Sequence, residues 1–212
     1  MGVEVAEGRR GIDVEHAVRH IPGRENVRFV TLDLCDPYKR FANEHFPNAQ
    51  LVADKFHVLR LLQPALMRYR KLPEDGRNSL YLRQLLLKPR RLVPHRWRQP
   101  LYEWLCRHPA LKAIYEAKEV LHGFYRTKSR KQAKLRLTGL CDALALTRIP
   151  ELSTLRSTLV RWRKEILAYW LCRLTNARTE GFNNKAKLVK RRAFGYVSFR
   201  HYRLRLLNAC SG

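Results

Sequence analysis

The amino-acid sequence predicts a short α/β segment followed by a long, basic stretch made only of helices. Three observations support this prediction: two strand-like runs separated by one helical pattern, apolar residues at three- and four-residue spacing from residue 57 onward, and a strongly uneven distribution of charge. Of the 212 residues, 45% are hydrophobic and 29% are charged. This composition is that of a folded domain and excludes wholesale disorder.

The α/β segment begins with a helical pattern over residues 12–21, which ends at the turn signal Pro22-Gly23. Residues 27–32 are rich in β-branched and aromatic side chains and predict a buried strand that leads directly into Asp33. Asp36 and Pro37 then predict the N-cap and the first turn of a helix.

A second predicted strand, residues 49–53, leads into Asp54. A strand, a helix and a strand at this spacing predict a right-handed parallel crossover. In open sheets of this kind the functional groups collect at the carboxyl ends of the strands. Asp33 and Asp54 therefore fall where a functional site is expected.

The remainder of the chain reads as helices with apolar residues on one face. The predicted helices cover residues 57–70, 80–87, 97–106, 110–125, 131–146, 152–170, 179–192 and 199–207. Pro64 is expected to kink the first of them, because proline lacks the N–H that a helix interior requires. Further prolines are expected to punctuate the others, among them Pro100, which falls within the stretch 97–106.

The net charge of +25 lies entirely in residues 63–212, since residues 1–62 hold nine basic and nine acidic side chains. A self-repelling excess of this size favours a polyanionic partner, and nucleic acid is the first candidate. The sequence shows neither a signal peptide nor an apolar run of the ~20 residues that a bilayer span needs, so no membrane partner is expected. The five cysteines are scattered, which disfavours zinc ribbons and disulfide frameworks.

Three acids stand in positions that suit chemistry: Asp33 and Asp54 at strand ends, and Glu180 near the start of a basic helix. Carboxylates without a basic partner favour Mg²⁺ or Mn²⁺, because hard cations prefer oxygen ligands. The alternative interpretation makes the two aspartates helix N-caps and Glu180 a first-turn acid that favours the helix dipole. His57 lies one helical turn after Asp54, so an Asp–His hydrogen bond is predicted there.

The segment 175–196 combines Glu180 with a basic helix face and an aromatic end. Cations bind phosphates and aromatic faces stack on unpaired bases, whereas a charge run on its own is usually only a solvated face. Few acids intersperse the bases here, which favours a nucleic-acid contact. The candidate DNA-binding residues are Asn184, Lys185, Lys187, Lys190, Arg191, Arg192 and Tyr196.

Three stretches of the chain are similar to a known family. They are residues 30–34 with Tyr38, residues 46–58 (Phe-Pro-Asn-Ala-Gln-Leu-Val-Ala-Asp-Lys-Phe-His-Val), and residues 176–196 followed by 199–207. In order and spacing they resemble the DDE domain of bacterial insertion-sequence transposases of the ISL-three family, over most of residues 25–208. The third stretch is the most specific of the three.

The resemblance implies a mostly helical α/β protein with a partial RNase H-like core. Two parallel strands of that core are retained, and a large all-helical insertion interrupts it. The expected domains are a partial core over residues 1–56, a helical insertion over residues 57–174, and C-terminal helices over residues 175–212 that carry the third catalytic acid and the basic DNA-binding face.

The resemblance also implies site residues. Asp33 matches the second acid of the DDE triad and Glu180 the third, so both would be catalytic and would bind Mg²⁺ or Mn²⁺. Asp54 and His57 match a supporting Asp-x-x-His signature, and Asp54 remains an alternative for the second acid. The implied reaction is DNA cleavage at element ends and strand transfer, with water and then a DNA 3′-hydroxyl as nucleophiles.

The first acid of the family follows a strand that ends in an Asp-Glu pair, and nothing like it precedes Asp33; Asp13 lies in a helical pattern. We therefore expect a C-terminal fragment of a transposase that is inactive alone, located in the cytoplasm and associated with the nucleoid when bound to DNA. The expected partners are DNA at element ends and target, with a second copy or an intact relative. The alternative is a non-catalytic basic nucleic-acid-binding protein.

Overall fold

The computed structural model describes residues 22–77, 79–193, 196 and 198–210, together with Glu15 and Val18. Most of the helix predicted over residues 12–21 therefore lies outside the described residues, although Glu15 and Val18 are helical. The chain divides into two compact units. One comprises residues 1–52 and 174–212, and the other comprises residues 53–173.

The first unit contains a two-stranded parallel sheet with a helix between its strands. After a 3-10 turn at Arg24–Asn26, strand β1 (Phe29–Leu32) is followed by helix α1 (Asp36–His45) and by strand β2 (Gln50–Ala53), which reaches the unit boundary. Leu32, Leu51, Val52 and Ala42 are buried. Both predicted strands and their parallel crossover are thus confirmed, with β1 shorter than expected.

The predicted N-cap of α1 is wrong by one residue. Cys35 has the extended backbone of an N-cap, while Asp36 is the first helical residue and Pro37 the second. Pro37 fits there because the first helical N–H groups have no intrahelical partner. Asp36 still lies in the first turn, where a carboxylate favours the helix dipole.

The second unit is made of helices in the described residues. They are α2 (Lys55–Arg60), α3 (Gln63–Arg70), α4 (Glu74–Arg77), α5 (Leu80–Leu87), α6 (His95–Cys106), α7 (Pro109–Phe124), α8 (Arg130–Ala145), α9 (Pro150–Arg161) and α10 (Arg163–Cys172), with a 3-10 turn at Arg90–Leu92. Helix α7 lies at the centre of the unit and contacts α2, α3, α6, α8 and α9. Its apolar face is fully buried, as the 3.6-residue period predicts: Leu111, Ile114, Leu121 and Phe124.

Three of the helix predictions need correction. The stretch 57–70 breaks into α2 and α3 instead of kinking, because Pro64 occupies the second position of a new helix, where no N–H is needed. The stretch 152–170 divides at the fully buried Trp162. Pro100 lies inside α6 instead of ending it, since the buried Leu101 and Trp104 hold the following turn against the core.

Helices α11 (Ala177–Arg192) and α12 (Phe199–Cys210) complete the first unit and pack against each other. The ammonium group of Lys185 donates to the main-chain oxygen of Ala209 at 3.1 Å, which ties the middle of α11 to the end of α12. Leu206 is buried at this contact between the helices. Among the described residues, no helix is long and apolar enough to cross a membrane.

A buried arginine organises the turn around α4. The Arg70 guanidinium donates to the main-chain oxygens of Gly76, Arg77 and Ser79, and the indole N–H of Trp104 donates to Asp75 at 2.9 Å. A Cβ added at Gly76 would lie 2.2 Å from the Arg70 main-chain oxygen and 3.1 Å from Trp104. The backbone of α4 therefore packs so closely that only glycine fits at this position.

Gly76→Ala is expected to destabilise the protein by about 1–3 kcal/mol, because the new methyl group has no space beside the Arg70 backbone. Gly139→Ala is the matched control. Gly139 lies inside α8, where a Cβ would meet nothing within 4 Å, so the gain in helix propensity should stabilise the protein by up to about 1 kcal/mol. Urea unfolding of both variants measures the two changes in the free energy of unfolding, a decrease for Gly76→Ala and an increase for Gly139→Ala. A Gly76→Ala variant as stable as the wild type would contradict this packing.

Candidate catalytic carboxylates and their surroundings

Asp33 is the first residue after β1 and is half-buried. Its main-chain oxygen accepts the Cys35 N–H at 2.7 Å, so the chain turns sharply between the strand and α1. Cys35 is the N-cap residue of α1, so the Asp33 carboxylate does not cap this helix. One of its oxygens, Oδ1, accepts a hydrogen bond from the Asn176 side-chain amide at 3.1 Å.

Asn176 connects Asp33 to the helix that carries Glu180. It is the N-cap residue of α11, and its main-chain oxygen accepts the Glu180 N–H at 2.8 Å. Asp33 and Asn176 are 143 residues apart in sequence, yet they meet within one compact unit. The fold therefore brings the end of β1 to the N-cap of α11, and Glu180 lies in the first turn of that helix.

Asp54 plays a different part from Asp33. It is the N-cap of α2: its Oδ2 accepts the His57 N–H at 3.3 Å and lies 2.9 Å from His57 Nδ1. The carboxylate is almost fully buried, with 1% exposed, whereas 46% of the His57 side chain is exposed. The predicted Asp–His hydrogen bond is present, and it fixes the orientation of the imidazole on the first turn of α2.

An aromatic cluster lies beside Asp54 in the same unit. The rings of Tyr125 and Trp170 stack at 5.6 Å, and Tyr169 meets both edge-on. The Lys55 ammonium lies 5.8 Å from the Tyr125 ring and 5.6 Å from the Tyr169 ring, distances at which a cation is attracted to an aromatic face. Burial, and then the negative charge of Asp54, raises the pKa of Tyr125 well above 10.

Sequence reasoning missed Tyr125, Tyr169 and Asn176 as neighbours of the candidate acids. Lys55 could have been noticed, because it adjoins Asp54 in the chain. The others approach the acids only through tertiary packing, and their local sequence gives no period or motif that marks them. Asn176 stands inside the family-like stretch, but its bond to Asp33 has no sequence signal.

The predicted basic face of α11 is exposed. The exposed members are Asn184, Lys185, Lys187, Lys190, Arg191 and Arg192. Tyr196 is half-buried instead, with its ring 5.4 Å from that of Tyr202 and its hydroxyl near the Val189 main-chain oxygen at 3.5 Å. Tyr196 therefore packs against α12 and the last turns of α11, while Asn184 and the cations are exposed, with the Lys185 ammonium also bonded to the Ala209 main-chain oxygen.

In unit one the end of β1, with Asp33, meets the N-cap of α11, and a basic helix face follows along α11. A family model described as transposase, that of the DDE domain of ISL3 elements, matches residues 3–206. The chain belongs to the ISL3 family of DDE transposases, as the three sequence stretches predicted.

The chain is similar to the transposase for insertion sequence element IS1001 from Bordetella parapertussis. The two are 25% identical over 197 residues, which cover 89% of this chain and 48% of that protein. The chain thus spans about half of the length of this curated relative. No solved structure matches the chain.

Tyr125→Phe is expected to remove a pH dependence of stability. The pKa of Tyr125 is higher in the folded than in the unfolded state. The stability that this difference contributes is therefore fully present below the unfolded pKa of about 10 and is lost as the pH rises above it. Without the hydroxyl this loss should shrink, so the variant should lose less stability than the wild type between neutral pH and pH above 10. Thermal unfolding across this range measures the effect. Tyr102→Phe, at a half-exposed tyrosine, is the control and should behave as the wild type.

Proposed function

We propose that this chain contributes two acids, Asp33 and Glu180, to the DDE centre of a transposase that cleaves insertion-sequence DNA and joins it to a target. In this proposal the two strands and α1 belong to a partial RNase H-like core, and residues 57–174 form an insertion within it. The observation that supports it most is the Asn176 hydrogen bond, which brings Asp33 to the turn of α11 that holds Glu180.

The residues fit a divalent metal by their chemistry. Asp33 and Glu180 offer carboxylate oxygens, which Mg²⁺ and Mn²⁺ prefer, and the Asn176 amide holds Asp33 by a charge-assisted hydrogen bond. When bound, divalent ions in such sites activate a water and stabilise the leaving oxygen of a phosphodiester.

Within this proposal Asp33 and Glu180 concentrate negative charge at the strand end, and Asn176 fixes the direction in which Asp33 presents its oxygens. Asp54 and His57 act in support. The buried Asp54 carboxylate caps α2, so that this helix starts directly after β2. The same carboxylate holds the His57 imidazole in one orientation. Asp54 remains the alternative to Asp33 for the second acid of the triad, since it follows β2 as Asp33 follows β1.

These 212 residues are proposed to be inactive by themselves. The family draws its first acid from a strand that ends in Asp-Glu, and no Asp-Glu pair precedes Asp33 in this sequence. Asp33 and Glu180 can together hold an ion weakly, because every lost carboxylate removes both charge and geometry. The transition state then lacks several kcal/mol of electrostatic support.

The proposed partner is DNA, both element ends and target, bound through the exposed face of α11. Lys185, Lys187, Lys190, Arg191 and Arg192 would contact phosphates, and Asn184 would donate to the same backbone. A second copy or an intact relative would supply the remaining parts of an active complex. The protein would act in the cytoplasm, on the nucleoid when DNA is bound.

Asp33→Asn and Glu180→Gln are each expected to weaken Mn²⁺ binding by at least about tenfold, because each removes one anionic oxygen donor. Electron paramagnetic resonance of free Mn²⁺ measures the affinity. Glu44→Gln removes an exposed acid from α1 of the same unit and should leave the affinity unchanged. Equal affinity in all three variants would favour a non-catalytic nucleic-acid-binding protein instead.

The 212-residue chain is expected to give no strand transfer when it is incubated with Mn²⁺ and pre-nicked element ends, because it lacks the first acid. The Glu180→Gln variant is the control for residual chemistry. Strand transfer by the wild type that disappears in this variant would refute the inactivity while supporting the catalytic role of Glu180.

Duplex DNA binding should weaken steeply with salt. If six phosphates are neutralised, the log–log slope of affinity against salt should be about −5. Replacing Lys187, Lys190, Arg191 and Arg192 by glutamine should flatten that slope by about 0.9 for each phosphate that the variant no longer neutralises. Fluorescence anisotropy over a salt series measures both slopes, and an unchanged slope would place the DNA-binding surface elsewhere on the chain.

A further inference from the structure

Two cavities in the helical unit share a wall made of Arg90 and Arg98. The first has a volume of about 120 Å³ and is otherwise apolar and aromatic, with Val93, Leu101, Tyr102, Leu105 and Tyr115 around it. The second has a volume of about 370 Å³, and Arg91 and Arg126 add two further guanidinium groups to it. A strongly cationic cavity thus adjoins a small apolar one.

The acid in the larger cavity does not cancel its positive charge. Both carboxylate oxygens of Glu119 accept the Arg90 main-chain N–H, at 3.0 and 2.9 Å, and one of them pairs with the buried Lys118 ammonium at 2.6 Å. The Glu119 charge is therefore already balanced by Lys118. Burial, and then the charge of Lys118, lowers the pKa of His122, so that residue is neutral near pH 7.

Arg98 is held in place between the two cavities. Its Nε donates to the Val93 main-chain oxygen at 3.1 Å, and its Nη2 donates to the Arg91 main-chain oxygen at 3.3 Å. A guanidinium that is fixed by main-chain acceptors loses less conformational entropy when it binds an anion. The shared wall is therefore preorganised to hold a phosphate on its open side.

The smaller cavity suits a flat apolar ring. An apolar cavity of about 150 Å³ binds benzene, and this one is of similar size. Tyr115 is 1% exposed, with the Lys118 ammonium 4.1 Å and the Arg90 guanidinium 5.5 Å from its ring. Tyr102 is half-exposed beside it, with the Lys112 ammonium 4.8 Å from its ring. An exposed aromatic ring beside a wall of two arginines favours a ligand that has both an aromatic ring and an anionic group.

We propose that the two cavities form a subsite for one unpaired nucleotide of DNA, with the phosphate among the arginines and a single-ring base beside Tyr102 and Tyr115. A nucleotide has the two groups that the cavities suit, an anionic phosphate and an aromatic base, and one sugar holds these groups close together. The two cavities are also close together, because Arg90 and Arg98 line both of them. The subsite rests on the proposed function, which makes DNA the substrate. It adds a second DNA-binding surface, which is made of residues of the helical unit and includes none from the basic face of α11.

The test compares binding of a short oligo(dT) with binding of an abasic oligonucleotide of the same length, which has the same phosphates but lacks bases. The full 212-residue chain is used in metal-free buffer at one salt concentration, with fluorescence anisotropy as the readout. Wild type should bind oligo(dT) at least about fivefold more tightly than the abasic strand, as expected for one stacked base. Tyr102→Ala should abolish this preference and leave the abasic affinity unchanged.

The double variant Arg91→Ala/Arg126→Ala tests the proposed binding of the phosphate in the larger cavity. It should weaken binding of both oligonucleotides at least about tenfold more than the control Lys134→Ala/Arg148→Ala does. The control removes the same charge from exposed positions of the same unit, outside both cavities. Thermal unfolding of each variant checks that it is folded, and Tyr102→Leu keeps the apolar bulk if Tyr102→Ala unfolds.

Three results would overturn the subsite: equal wild-type affinity for the two oligonucleotides, equal losses in the two double variants, or tighter binding of oligo(U) than of oligo(dT). None of these results depends on metal or cleavage. If Mn²⁺ binding is insensitive to Asp33 and Glu180 while the base preference persists, the catalytic proposal fails and the subsite stands. If the base preference is absent while those acids bind Mn²⁺, only the subsite fails.

Discussion

The hydrogen bond from the Asn176 amide to the Asp33 carboxylate is the contact on which the arrangement of the candidate acids depends. It joins the end of β1 to the N-cap of α11, and the Glu180 N–H bonds to the same N-cap residue. A carboxylate that is half-buried at a strand end needs a donor, and a side-chain amide supplies one without neutralising its charge.

The two aspartates that follow the strands illustrate how similar sequence contexts lead to different roles. Asp54 is buried, caps α2 and holds His57, so its oxygens already have structural partners. Asp33 precedes the cap of its helix by two residues, and its carboxylate points instead to Asn176. In the function proposed above, Asp33 is the metal-binding acid and Asp54 its support, which is the assignment that the family resemblance implies.

Local sequence determines most of what could be predicted, and tertiary packing determines the rest. The first strand follows from its β-branched and aromatic residues, the parallel crossover from the strand–helix–strand spacing, and most of the helices from a period of three to four residues. The Asp54–His57 bond follows from one helical turn. The predictions at Pro64 and Pro100 are wrong because a proline either begins a helix or is carried through one by buried neighbours, and only packing decides between these outcomes. The partner of Asp33 lies 143 residues away, and no sequence pattern indicates it.

One divalent ion is proposed to contact both the end of β1 and the first turn of α11. Affinity cleavage tests this directly, because Fe²⁺ bound in place of Mg²⁺ reacts with added hydrogen peroxide, with ascorbate returning the Fe³⁺ to Fe²⁺, and the hydroxyl radicals formed cut the backbone only close to the ion. A shared metal site predicts two cuts, near Asp33 and near Glu180, which are lost together in Asp33→Asn and in Glu180→Gln. A cut at only one of these segments, or cuts that survive either substitution, would contradict it.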